Sequence, residues 1–200
     1  MKEEMRENKP EKKPDWKKTL VLYLHDLVYM IIGLMLVFLL LFRVIVVSGS
    51  SMYDTLIDGD YLLLLSNVFY QEPEYGDIIV VSKESFDDGV PIIKRVIATE
   101  GQTVDIDFEA GIVYVDGEAL QEDYTYTPTN VQEGMTFPLT LQDGCVFAMG
   151  DNRNGSLDSR CPDIGQIDRR EILGKALFLF LPGTDEGHTG PDFERIGAIK

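Results

Sequence analysis

Two histidines, two cysteines and a single tryptophan are spread over 200 residues, and these scarcities remove several chemistries. A structural zinc site usually takes four Cys or His ligands, which two cysteines and two distant histidines do not supply; no metal and no cofactor is expected. A serine hydrolase with a histidine base needs its imidazole beside the nucleophile. Here His25 lies inside an apolar run and His188 in the glycine-rich stretch GTDEGHTG, so a Ser-His-Asp triad has little support. Basic residues are scarce too: 18 Lys and Arg against 34 Asp and Glu leave a net charge of −16. That balance argues against nucleic acid as a partner. Long apolar runs are limited to one.

That run, Leu20 to Phe42, is 23 residues long. As a helix it extends roughly 34 Å, enough to cross a hydrocarbon core. The apolar region of a cleavable signal peptide is shorter, about 7–15 residues, and is followed by small residues. Arg43 and then VIVV follow here, so the run reads as an uncleaved transmembrane anchor over 20–43. Residues 1–19 carry seven Lys or Arg against five acids. Basic residues next to a span favour the cytoplasmic side, so the expected layout is a disordered cytoplasmic tail over 1–19 and an extracytoplasmic domain over 44–200. Cys145 and Cys161 both fall in that outer domain, where a disulfide can persist. Spacing alone leaves a bridge and two free thiols equally open.

Beyond the anchor the pattern is one of short strands: YLLLLSNVFY at 61–70, DIIVVS at 77–82, PIIKRVI at 91–97, TVDIDF at 103–108, IVYVDGEAL at 112–120, CVFAMG at 145–150 and KALFLFLP at 175–182. They are rich in β-branched and aromatic residues and bounded by Gly, Pro and Asp. Asp116-Gly117 between two alternating runs marks a hairpin. The fold class expected is mostly β, a folded, partly closed sheet, with a less regular excursion over 121–143.

Three segments stand out chemically. Ser51, in SGSSMYDTL, follows Phe42 with eight residues between, so its hydroxyl is held near a bilayer surface. Read alone, SGSS is a flexible turn. Lys94 sits in the apolar PIIKRVI, and burial there would disfavour its ammonium form and make it a base. A Lys-Arg pair protecting an edge strand explains the same residues equally well. The third segment, AMGDNRNGSLDSR at 148–160, combines tight turns with Asp158 and Arg160 two positions apart, placed to pair.

Together these segments resemble the bacterial type I signal peptidases, membrane-anchored serine proteases, in the single-span form of Gram-positive bacteria. SGSSMYDTL matches the family's nucleophile segment, GDIIVV a structural strand, IKRVIATEG the lysine segment and GDNRNGSLDSR its third signature. The resemblance covers nearly all of residues 36–181. It implies Ser51 as nucleophile and Lys94 as general base, with Ser156 orienting the lysine amine and Arg95, Asp151, Asp158 and Arg160 as a supporting ion-paired scaffold. It implies shallow substrate pockets at Ile45, Val47, Met52, Leu56, Ile92 and Ile93, which admit the small residues of Ala-X-Ala sites in secretory preproteins. It implies the plasma membrane as location and the lipid bilayer as a partner. The backbone N–H of Ser51 would meet the oxyanion, since Gly49 occupies the position where some members carry a hydroxyl. Leu62 to Leu65, with Val68 and Phe69, are either an apolar skirt entering the membrane or an ordinary buried strand.

Departures from the family pattern are Asp54 where proline is usual, Ala98-Thr99-Glu100-Gly101 in place of Gly-x-Pro-Gly, and CPDIG after Arg160. A non-catalytic anchored β-module would lack the serine or the lysine, and both are present. A self-cleaving repressor of related fold would carry a DNA-binding half in place of the span.

Overall fold

The structure is a computed structural model that describes residues 16–184 and 190–199. The chain divides into two compact units, residues 1–39 and 40–200. The first is carried by one helix, α1 (Trp16–Leu41), of 26 residues, none of them buried. It is long and apolar enough to cross a membrane by length and composition. Among the described residues it includes Trp16-Lys17-Lys18-Thr19, ahead of the apolar run, a stretch that contains no helix breaker. Phe42 and Arg43, expected inside the span, are instead the first residues of a strand. The β-branched Val44-Ile45-Val46 that follows favours extended backbone.

The second unit is mostly β. Its larger sheet contains β1 (Phe42–Val46), β2 (Tyr61–Ser66), β3 (Ile78–Val81), β4 (Ile92–Ala98), β9 (Cys145–Met149), β10 (Ile167–Asp168), β11 (Ile172–Leu181) and β12 (Gly197–Ala198). The order is β1-β2-β11-β3-β4-β9-β10, with β12 on β11 and every pair antiparallel. Among the described residues no pairing joins β1 to β10, so the sheet is curled but not closed. A second sheet, β7-β6-β5-β8, is built from β5 (Thr103–Asp107), β6 (Ile112–Val115), β7 (Glu118–Ala119) and β8 (Leu139–Thr140). Asp116 and Gly117 turn β6 into β7, both with positive φ (53° and 83°), as a two-residue hairpin requires.

β3 is buried on both faces: Ile78 and Val80 join one apolar cluster and Ile79 and Val81 another. This explains its unbroken IIVV, since a strand covered on both sides need not alternate. The first cluster also takes Met52, Leu56, Leu62, Leu64 and Ile93. Leu62 and Leu64 are thus core, while Val68 and Phe69 lie beyond the end of β2 and are exposed. β2 stops at Ser66 because Phe69 N–H and Tyr70 N–H both turn back to the Ser66 carbonyl. The excursion 121–143 contributes only the two residues of β8 to a sheet, and its side chains serve the site instead.

Candidate active site

The loop from Val47 to Asp60 is closed by two backbone bonds, Val47 N–H to Asp60 O (2.8 Å) and Gly59 N–H to Val47 O (3.0 Å). Within it, Leu56 N–H donates to Met52 O at 2.8 Å. Met52 and Leu56, each 1% exposed, are driven together into the core. Burying two such side chains contributes several kcal/mol, roughly 1.5–3 each, and it fixes the backbone of the residue just before them. That residue is Ser51. Gly49 has φ +86° and donates its N–H to Asp58 Oδ1 at 2.8 Å; a residue with Cβ would be strained there.

Lys94, on β4 and opposite Ile79 of β3, is 2% exposed. Its amine donates to Ser51 Oγ and to Ile93 O, both at 3.0 Å. Burial holds its pKa at about 8 instead of 10.5; the carboxylates of Asp158, Glu133 and Asp151 pull it part of the way back up, and Arg160 lowers it. The Ser156 hydroxyl, expected against this amine, donates to Leu157 O at 3.4 Å instead. Ser156 Oγ lies with the Ser51 carbonyl against Gly150: a Cβ added at Gly150 would lie 2.2 Å from Ser156 Oγ and 2.4 Å from Ser51 O. Only glycine lets these two approach.

The segment after β9 is held by three buried arginines. Arg95 forks onto Asp151 (Nε to Oδ1 2.9 Å, Nη2 to Oδ2 2.7 Å), which also accepts from Thr55 Oγ1 at 2.6 Å. Arg160 grips Asp158 in the same way, at 2.8 Å twice. Arg153 bonds Glu122 (2.8 and 2.5 Å) and Thr129 (2.8 Å), both from the excursion. Glu133, also from the excursion, meets Arg160 at 3.4 Å and accepts from Asp158 N–H at 3.2 Å. Burial, reinforced by Asp158, raises its pKa to about 7. Sequence reading missed Glu122 and Glu133, because the excursion has no periodicity to show which acids turn inward, and Arg153, because its partner Glu122 is 31 positions away.

Beside the Ser51–Lys94 contact lies a cleft of about 390 Å³. Ile45, Val47, Met52, Ile92 and Ile93 line it, joined by Ser48, Val90 and Pro91, which sequence reading did not single out. Leu56 is absent from this lining; its side chain is spent on the core. β1 and β4 stand four places apart in sheet order, yet both border the cleft, which follows from the curl of the sheet.

Cys145 and Cys161 are both free thiols. Among the described residues no group of three or more His, Cys, Asp or Glu is arranged to hold a metal. His25 lies on α1, and His188 falls outside the described residues.

A family model described as signal peptidase, peptidase S26, matches residues 20–181. The chain belongs to this family. A Synechocystis protein described as a probable signal peptidase I-1 is 39% identical over 151 residues, covering 72% of this chain and 74% of its own length. Signal peptidase I of Bacillus amyloliquefaciens is 34% identical over 159 residues, covering 74% of this chain and 79% of that protein. A crystal structure of a signal peptidase I from Enterococcus faecalis aligns with a TM-score of 0.42 at 28% identity, covering 52% of this chain and 96% of its own. The chain is therefore a serine peptidase with signal peptidase I function. Among the described residues one N-terminal helix is long and apolar enough to span a bilayer, which fits association of the peptidase with a membrane.

Proposed function

We propose that the peptidase cleaves signal peptides from secretory preproteins through a Ser51–Lys94 dyad. The observation that carries this reading is the 3.0 Å contact between Lys94 Nζ and Ser51 Oγ, made by a lysine whose burial holds its pKa at about 8. A base with a pKa near the working pH combines a useful neutral fraction with adequate proton affinity. Neutral Lys94 takes the proton from Ser51 Oγ as the oxygen bonds the scissile carbonyl carbon, and the ammonium then gives it to the leaving amine. Water repeats the exchange to release the acyl group from Ser51. The oxyanion takes the Ser51 N–H, since Gly49 offers no hydroxyl.

The substrate lies extended in the cleft between the end of β1 and the start of β4, adding its own backbone as a strand. Val47, Met52 and Ile93 close the floor of that cleft, which favours small side chains such as the alanines of Ala-X-Ala. Asp151, forked by Arg95 and bonded by Thr55, holds the loop after β9 against the nucleophile turn, and Asp158–Arg160 braces that loop from within. On this reading Ser156 orients the lysine amine; its Oγ sits with the Ser51 carbonyl against the open side of Gly150. The basic residues before α1 favour a cytoplasmic N-terminus, with residues 44–200 on the outer face of the plasma membrane as the catalytic domain.

The test is turnover of a preprotein with an Ala-X-Ala site by the solubilised full chain and by Ser51→Ala and Lys94→Ala. Each variant is expected to lose at least about a thousandfold in kcat. Near wild-type turnover by either one removes the dyad.

A further inference from the structure

Residues 48–53 separate two clefts. Ser48, Ser51 and Met52 line the apolar one already described, while Gly49, Ser50 and Tyr53 line a second, of about 500 Å³. Ile57, Asp58, Tyr126, Asn152 and Thr184 complete its lining. Nothing in the mechanism above uses it.

This second cleft is built rather than incidental. Tyr53 and Tyr126 meet edge to face with ring centroids 4.9 Å apart. Tyr126 N–H donates to Asp151 O at 3.0 Å, which ties that ring to the ion-paired loop beside the dyad. Asn152 Nδ2 donates to Ser50 O at 3.1 Å and Asn152 N–H to Ser51 O at 3.0 Å, so the wall is tied directly to the nucleophile turn. Asp58 is the one charged residue among the described lining residues, and its carboxylate is steadied by the Gly49 N–H at 2.8 Å.

We propose that this cleft receives the substrate residues immediately after the scissile bond and selects a basic or neutral side chain there over an acidic one. This inference rests on the reading of Ser51 as nucleophile. A peptide whose acyl half fills the apolar cleft must pass Ser51 and leave on the other side of the 48–53 segment, where Tyr53 and Tyr126 offer ring surface and Asp58 a fixed negative charge. An amine-bearing side chain gains from that charge and a carboxylate is repelled by it. Between them the two effects give roughly tenfold discrimination at low salt.

The test is a competition in one tube between two preproteins identical except for Lys or Glu at the first two positions after the cut. The ratio of their kcat/KM values does not depend on how much enzyme is folded. The wild-type full chain in detergent is expected to favour the Lys substrate about tenfold. Asp58→Asn, which keeps an acceptor for the Gly49 N–H, narrows the ratio and Asp58→Lys inverts it. A ratio near one in the wild type, or a ratio that neither substitution moves, overturns the inference. Cleavage of both substrates by Ser51→Ala would overturn the nucleophile reading instead, and the two failures are told apart in the same assay.

Discussion

Lys94 Nζ stands 3.0 Å from Ser51 Oγ while only 2% of the lysine is exposed. A lysine so enclosed is a liability to the fold at neutral pH. Its pKa is about 8 in the folded chain against 10.5 when free. Below pH 8 both states carry the ammonium and the folded one bears the full cost of enclosing it, roughly 3 kcal/mol. Between pH 8 and 10.5 the unfolded chain binds more protons, so stability rises with pH; above 10.5 the penalty is gone. Lys94→Met is therefore expected to be inactive yet more stable than wild type by about 2–3 kcal/mol at pH 7, with the gap closing by pH 10.5. Denaturant midpoints at the two pH values check this, and a gap independent of pH would count against a depressed lysine.

The same pKa sets the pH dependence of activity. The kcat/KM is expected to climb about tenfold per pH unit below 8 and then level off. Ionised Glu133 pulls the Lys94 pKa upward, so Glu133→Gln should move the inflection to lower pH. The shift should raise activity near pH 7.5 roughly two- to threefold. Glu133 has its own pKa at about 7, so wild type and variant should converge below that pH. An inflection that stays put, or moves upward, would show that Glu133 does not act on the lysine.

Gly150→Ala tests the fit between the loop after β9 and the nucleophile turn. The added methyl would lie 2.4 Å from the Ser51 carbonyl, a backbone atom that cannot swing aside. A displacement of order 1 Å at the reacting oxygen lowers kcat about a hundredfold. Ala at this position with undiminished kcat would mean that the loop carries no alignment.

Arg95→Ala leaves Asp151 fully buried without its guanidinium partner. Orphaning a buried charge costs about 3–5 kcal/mol. The loss should appear in the denaturant midpoint of the solubilised chain; Arg95→Lys, lacking the fork, should recover only part of it. A change below about 1 kcal/mol would mark the pair as solvent-screened.

Much of the β architecture was legible in the sequence because it rests on short-range signals: β-branched runs, turn residues and the Asp116-Gly117 hairpin. β1 was hidden, since its first residue, Phe42, is also the last of the apolar run that begins in α1. Asp158 and Arg160, two apart, are legible as a pair from spacing alone. Arg95 and Asp151 are 56 positions apart, and only resemblance could bring them together before the sheet was seen. The inward turn of Glu122 and Glu133 left no trace in composition, because an acid in a polar stretch reads as solvated until a buried arginine is found opposite. Leu56 shows the limit of pocket assignment by pattern: an apolar residue one turn from Met52 fits core and cleft equally well until packing decides.

The fork of Arg95 onto Asp151 crosses from β4 to the loop after β9, while Asp158 and Arg160 brace that loop from within. On the dyad reading this couples catalysis to folding. A Lys94 left open to water would stay an ordinary ammonium at neutral pH, and the Ser51 hydroxyl beside it would be an inert alcohol. An unfolded chain of this peptidase therefore has no proteolytic activity to turn on its neighbours.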